Sequence, residues 1–203
     1  MKKFVAESWM ILLLGLVFAV LLAGAQTTLQ PTIRVNQQKA LNEAIGMVVP
    51  GTVTTEKVAV TGYDREVFRC LDGSGKLVGW AIDAAGMGFA DQIRAVIGLS
   101  ADAERITGLK VIENVETPGL GNKIAAEPAD ESDSVWADQY KGLSAGKETA
   151  VVKRAPNEGA NEVQAVTGAT ISSEAVTDLA NKAVQHVRPE LKKQDRPAAA
   201  ESR

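Results

Sequence analysis

The apolar positions of this chain follow three patterns in succession, and the first is a long run from Trp9 to Ala25. About 17 to 25 apolar residues span a bilayer as a helix, so this run predicts a segment that enters a membrane. Two fates fit the pattern. The run is either a transmembrane anchor over residues 9–30, extended by neutral residues at its end, or a signal peptide cut after the small residues at 23–25.

Both fates give the chain the same direction across the membrane. Lys2 and Lys3 precede the apolar run, and basic residues stay on the cytoplasmic side. We therefore expect residues 1–8 in the cytoplasm and the rest of the chain beyond the membrane. With an uncleaved anchor, the expected location is the inner (cytoplasmic) membrane, with a single pass and a globular domain on the periplasmic side.

After the anchor, several short stretches have the composition and spacing of strands. The turn Asp72-Gly73-Ser74-Gly75 between two of them is typical of a hairpin, and residues 100–102 form a similar turn. Strands joined by such short turns run antiparallel. The strand candidates are 66–71, 76–83, 93–99, 106–115 and 149–153.

A spacing of three to four residues between apolar positions marks two amphipathic helices, over 37–49 and 171–187. A shorter helix is expected within 128–140. The last long helix should pack its apolar face on the sheet. The predicted class is therefore α+β, an antiparallel sheet with packed helices, preceded by one N-terminal transmembrane helix.

Length and composition bound the function. With 203 residues the chain has room for one sizeable domain, expected over 31–187, whereas the composition of 188–203 predicts a disordered tail. The net charge of -3 and the lack of a long basic cluster argue against nucleic acid as a partner. The single cysteine, Cys70, and the single histidine, His186, rule out an internal disulfide, a cysteine-based metal cluster and a charge-relay triad. Neither a metal site nor a catalytic residue is predicted.

The most informative stretch is Thr167-Gly168-Ala169-Thr170, a turn of small residues and hydroxyls that opens onto the last helix. The first turn of a helix has backbone N–H groups without partners and a partial positive charge, so an anion is stabilised there. Gly168 allows a close approach of the backbone. From physical chemistry alone, a phosphate site and an ordinary helix start capped by a hydroxyl both remain open.

The run from Thr167 to Ser173 resembles the flavinylation motif of membrane-anchored FMN-binding subunits of bacterial electron-transport complexes. These are the G subunit of the Rnf complex and the C subunit of the sodium-pumping NADH:quinone oxidoreductase. A second segment, 116–124, matches the same family, as do the anchor and residues 40–43, and the length favours the Rnf type. The resemblance implies an FMN cofactor joined covalently through its phosphate to the hydroxyl of Thr170.

The resemblance also implies a set of cofactor-binding residues in which Thr170 is the covalent FMN phosphoryl threonine. Backbone groups of 116–121 should line the isoalloxazine ring, and Lys123 should place a positive charge near it. The remaining members come from the two matching segments. The set comprises Thr167, Gly168, Ala169, Thr170, Ser172, Glu116, Thr117, Gly119, Leu120, Gly121 and Lys123.

The function implied by the resemblance is that of an electron-carrying subunit in a membrane-bound, ion-translocating ferredoxin:NAD oxidoreductase of the Rnf type. Its partners would be the other membrane subunits of that complex, and a flavin transferase would be needed for maturation. A redox flavin carries the chemistry itself, while the protein positions it and tunes its electronics. The chain is therefore not expected to be catalytic alone.

One position departs from the family motif and keeps two alternatives open. The family carries an acidic residue three positions before Thr167, where this chain has Gln164. A non-redox anchored scaffold or assembly subunit, with an unmodified motif, is the first alternative. A stand-alone extracytoplasmic flavoprotein reductase is the second, and Arg154 is the basic residue nearest in sequence that could serve its substrate pocket.

Overall fold

The structure is a computed structural model that describes residues 2–125 and 135–194. The chain divides into two compact units, Met1–Ala40 and Leu41–Arg203. Helix α1, Lys2–Val48, forms the described part of the first unit and begins the second. Within the described residues, one helix, which is α1, is long and apolar enough to cross a membrane by length and composition.

Helix α1 differs from the prediction of an anchor followed by a separate helix over 37–49, because it is continuous. The connecting segment 31–36 contains no glycine, and Pro31 lies inside the helix. A proline removes one backbone donor and often kinks or ends a helix, but the neighbouring turns here remain helical.

An antiparallel sheet forms the centre of the second unit, as predicted, and it has five strands. Its strands follow one another in space in the order of the sequence. The turn between the second and third strands is closed by Asp72, whose Oδ1 accepts hydrogen bonds from the backbone N–H of Ser74 at 2.8 Å and of Lys76 at 2.9 Å. The strands are β1 Thr54–Val58, β2 Val67–Leu71, β3 Leu77–Met87, β4 Gln92–Ser100 and β5 Ile106–Glu113.

Both faces of this sheet are covered. Helix α2, Thr170–Gln194, packs on one face, where Trp80, Ile82 and Ile97 lie in the same core cluster as Val176 and Val187 of the helix. The other face holds a smaller cluster in which Leu41–Val49 packs against residues of β2, β3 and β4. The sequence of α2 supplies the required pattern, because its buried positions recur at a spacing of three and four residues.

Two further strands lie outside the main sheet. Strand β6, Ala150–Val152, pairs in parallel with β7, Glu162–Gln164, so the candidate strand at 149–153 does not join the antiparallel sheet. The short helix expected within 128–140 is a 3-10 helix at Trp136–Tyr140, and the preceding residues 128–134 lie outside the described part of the chain. A second 3-10 helix covers Gly121–Ala125.

The prediction of a disordered tail from residue 188 is wrong for 188–194, which continue helix α2. Leu191 is fully buried in the main core, and the Arg188 side chain donates to the carbonyl oxygen of Ala103 at 2.8 Å and to the carboxylate of Glu104 at 2.5 Å. Composition alone indicated disorder because Pro, Lys and Glu dominate this segment, but one buried leucine and these contacts fix it. Residues 195–203 lie outside the described part.

Candidate functional site

Helix α2 starts directly after a glycine turn. Gly168 has a φ of 81°, a left-handed conformation that favours glycine, and the backbone N–H of Ala169 donates to the carbonyl of Val166 at 2.9 Å. The Ser173 hydroxyl accepts from the N–H of Val166 at 3.0 Å and donates to the carbonyl of Ala169 at 3.0 Å. These hydrogen bonds within the segment hold the conformation of the turn, and Thr170 is the first residue of the helix.

The start of α2 forms one wall of a cavity of about 330 Å³. Its opposite wall comes from the segment 116–121 and from the turn between β3 and β4. Thr170 is half-buried at this cavity. The lining residues are Phe89, Glu116, Thr117, Leu120, Gly121, Gly168, Ala169, Thr170, Ile171 and Ser172.

The structure thus brings together most of the residues that the resemblance implied, although they come from segments about fifty positions apart. Thr167, Gly119 and Lys123 are exposed and do not line the cavity. Phe89 and Ile171 also line it, although neither was among the predicted site residues. Phe89 follows a glycine turn at the end of β3 that reads as structural, and Ile171 matches the apolar spacing of a core position.

Glu116 is the one ionisable side chain among the described residues that line this cavity, and it is only 5 % exposed. Its Oε1 accepts from the backbone N–H of Phe89 at 2.7 Å and of Ala90 at 3.2 Å, and its Oε2 accepts from the Ser172 hydroxyl at 2.8 Å. One carboxylate therefore ties the β3–β4 turn and the first turn of α2 to the 116–121 segment. The prediction gave this residue a role only through its backbone.

The two glycines of the 116–121 segment are required for different structural reasons. Gly119 has a φ of 77°, and its N–H donates to Oδ1 of Asn122 at 2.8 Å. Gly121 is buried, and a Cβ there would lie 2.6 Å from Oε2 of Glu116 and 2.9 Å from the hydroxyl oxygen of Ser172. The first glycine therefore serves the turn, and the second leaves space for the carboxylate.

Large apolar side chains are exposed around the cavity mouth. Phe89 is 62 % exposed and Ile171 is 56 % exposed, and Leu120, which also lines the cavity, is exposed as well. Exposed apolar groups that lie around one concave site are typical of a surface that a ligand or partner covers.

A wider groove of about 740 Å³ lies on the other side of Ile171, between the end of β3 and the outer face of α2. Burial, helped by the Asp83 carboxylate, raises the pKa of the Tyr63 hydroxyl in its wall above the usual range. The Arg65 guanidinium in the same wall donates to Oδ2 of the buried Asp83 at 2.8 Å. The fold therefore already engages these two side chains of the wall.

Arg154 and Gln164 lie away from the cavity lining. Arg154 makes a bidentate ion pair with the Glu162 carboxylate, with both N···O distances at 3.0 Å. This ion pair lowers the pKa of Glu162. The side chain of Gln164 is exposed, while its backbone carbonyl accepts from the Trp136 indole at 2.7 Å and its N–H donates to Gln139 at 2.7 Å. Neither residue contributes to the cavity wall.

Comparison with known proteins identifies the class of domain to which this sheet and its cavity belong. Residues 88–185 match the family model described as FMN-binding domain. The crystal structure of Shewanella oneidensis NqrC is similar in fold, with a TM-score of 0.54 and 24 % identity over 70 % of this chain and 72 % of that one.

Two curated relatives narrow the class to a family. The G subunit of the ion-translocating oxidoreductase complex of Methanosarcina acetivorans is 30 % identical over 177 residues, which cover 84 % of this chain and 87 % of the relative. The G subunit of the Na(+)-translocating ferredoxin:NAD(+) oxidoreductase complex of Acetobacterium woodii is 42 % identical over 113 residues, 55 % of this chain and only half of that relative's length. The chain belongs to the family of G subunits of ion-translocating oxidoreductase complexes.

Proposed function

We propose that this chain is the electron-carrying G subunit of an ion-translocating ferredoxin:NAD oxidoreductase and carries FMN as a phosphoester on Thr170. The observation that carries the proposal is the position of Thr170, which is the first residue of α2 and lines the cavity. A phosphate on its hydroxyl oxygen lies at a helix N-terminus, where backbone N–H groups and the helix dipole stabilise an anion.

The cavity residues fit such a group. The N–H groups of Thr170, Ile171 and Ser172 are the first of the helix and have no carbonyl partner within it. A Cβ on Gly168 would lie 3.2 Å from the Leu120 side chain, so the glycine keeps the cavity open beside the attachment point. Phe89, together with Leu120 and Ile171, offers exposed apolar surface to a flat ring.

When bound, FMN supplies reversible electron transfer, and the protein's part is to hold and tune it. Glu116, the ionisable residue of the described lining, is already engaged by three donors. An arrangement without a separate acid–base pair suits an electron relay better than a reductase with its own substrate. The engagement of Arg154 by Glu162 points the same way.

The proposal extends to the surroundings of the protein. Residues 9–30 of helix α1 would form the single transmembrane anchor in the inner membrane. The FMN-binding domain that follows, whose described part ends at residue 194, would lie on the periplasmic side. The relatives are named as subunits of complexes, so the partners would be the other membrane subunits of an Rnf-type complex. A separate flavin transferase would form a phosphoester bond between the Thr170 oxygen and the FMN phosphorus, using an activated flavin nucleotide as donor. The pyrophosphate bond of that donor would break, the remaining nucleotide phosphate would leave, and the hydroxyl proton would pass to solvent.

The intact mass of the denatured full chain tests the attachment, after co-expression with a flavin transferase. We expect a gain of one FMN less one water in the parent and in Thr170→Ser, and no gain in Thr170→Ala. Thr167→Ala is the matched control, because Thr167 is exposed and lies outside the cavity wall. Peptide mapping should place the added mass on the fragment that contains residue 170.

An unmodified parent, under conditions that modify another member of the family, would contradict the proposal. Gln164→Asp would then show whether the side chain at this position is the cause. If that variant also stays unmodified, the chain is a non-redox anchored scaffold or assembly subunit. If Thr167→Ala loses the mass and Thr170→Ala keeps it, the attachment site is Thr167.

A further inference from the structure

We propose that the Glu116 side chain sets the reduction potential of the bound flavin by holding a fixed negative charge in the cavity wall. The inference rests on the proposed function, since it needs FMN in that cavity. It assigns Glu116 a positioning and tuning role that its place in the sequence does not reveal. Burial, hydrogen bonding, two neighbouring glycines and the charge itself support this role.

Burial and hydrogen bonding show that the carboxylate has one position. Glu116 is 5 % exposed, and donors from two other segments converge on it, namely the N–H groups of Phe89 and Ala90 and the Ser172 hydroxyl. A buried carboxylate is very unfavourable without such partners, because it loses its hydration. The three donors make an acceptor-only group tolerable at this place.

Two glycines leave room for this carboxylate from opposite sides. A Cβ on Gly88 would overlap Oε1 of Glu116, and a Cβ on Gly121 would lie 2.6 Å from Oε2. Real Cβ atoms do not come so close to an oxygen, so any other residue at either position would displace the carboxylate. The β3–β4 turn, the 116–121 segment and the start of α2 therefore all leave room for the Glu116 side chain.

The charge of Glu116 acts on whatever occupies the cavity. Interactions between charges are several times stronger at a buried site than in water. Reduction adds negative charge to a flavin, so a fixed carboxylate in the cavity wall disfavours the reduced form and lowers the potential. Exposed charges nearby, such as Lys123 and Glu174, are screened by solvent and salt and should matter much less.

The test is a redox titration of the flavinylated full chain in detergent, in which dithionite supplies the electrons and the flavin accepts them. We expect Glu116→Gln to shift the midpoint potential to a more positive value. Glu174→Gln is the matched control, because it also removes one negative charge from a site one turn beyond Thr170, but in solvent. It should leave the potential near that of the parent.

Ser172→Ala separates the charge from the hydrogen-bond network. This variant keeps the carboxylate but removes one donor that compensates it. We expect the midpoint potential of Ser172→Ala to shift in the negative direction, opposite to that of Glu116→Gln. A general distortion of the cavity would instead shift the potentials of both variants in the same direction. This variant also tests the inference on its own if Glu116→Gln does not fold.

The two proposals fail in different ways. A parent without added FMN mass would overturn the proposed function and this inference together. A flavinylated parent in which Glu116→Gln and Glu174→Gln have equal potentials would overturn this inference alone. A positive shift in Ser172→Ala that is the same at every pH tested would also overturn it, because neither the remaining charge nor its loss by protonation could be the cause.

Discussion

Replacing Gly168 by alanine tests whether the turn before α2 is as constrained as its geometry indicates. Gly168 has a φ of 81°, and an added Cβ would lie 3.2 Å from Cδ2 of Leu120 across the cavity. Gly119 is a matched control outside the cavity wall, because it has a φ of 77° and its Cβ would meet open space. The pair separates backbone strain from contact with the cavity wall.

The expected losses in the free energy of unfolding follow from backbone strain and from contact with the Leu120 side chain. An alanine in the left-handed region costs about 1–2 kcal/mol. The loss of unfolded-state freedom offsets about 0.4–1 kcal/mol of that, so Gly119→Ala should be about 1 kcal/mol less stable than the parent. Moving Leu120 away from its rotamer adds about 0.5–1.5 kcal/mol, so Gly168→Ala should lose about 2 kcal/mol.

Urea unfolding of the full chain in detergent, followed by near-ultraviolet circular dichroism, measures both variants against the parent. If both unfold with the free energy of the parent, the positive φ values are not enforced and the reasoning is refuted. If Gly168→Ala is no less stable than Gly119→Ala, the Leu120 side chain does not confine the turn. A loss well above the expected value would indicate that the start of α2 moves as a whole.

Two further predictions concern the core. Leu191→Ala should lower the free energy of unfolding by about 2–5 kcal/mol, because Leu191 is fully buried, and an unchanged urea midpoint would show that residues 188–194 are not part of the domain. Burial raises the pKa of the Cys70 thiol from 9.0 to about 11, so iodoacetamide at pH 8.5 should label the folded chain at least about 100-fold more slowly than the urea-unfolded chain. Because the unfolded thiol loses its proton first, this group's contribution to stability should fall as the pH rises from 9 towards 11. Equal labelling rates would contradict both statements.

Much of the sheet could be predicted because its signals are local. The Asp72-Gly73-Ser74-Gly75 turn marks the β2–β3 hairpin, and the antiparallel class follows from such turns. Strand β1 was missed because Thr54–Val58 is polar and largely exposed, so it shows no alternation. Strand β7 has only three residues and finds its partner β6 across an intervening loop, which no local pattern reveals.

The candidate site, like the sheet, has parts that local sequence signals reveal and parts that depend on residues far apart in the sequence. The two segments that line the cavity could be named from their resemblance to a family, since short motifs carry that information. The role of the Glu116 side chain could not, because its partners Phe89 and Ser172 lie 27 and 56 positions away in the sequence. The predicted contribution of Lys123 remains a prediction, and the described cavity wall does not include this residue.

Strand β7, which precedes the turn at Gly168, ends at Gln164, and this position is suited to engineering. The backbone of Gln164 is fixed by Trp136 and Gln139, whereas its side chain points to solvent. We therefore expect that the residue at position 164 can be exchanged with little effect on the free energy of unfolding, and that the exchange alters the surface that the proposed flavin transferase would contact. Matched pairs of transferase and acceptor could be evolved at this position, so that two flavoproteins in one cell are loaded independently.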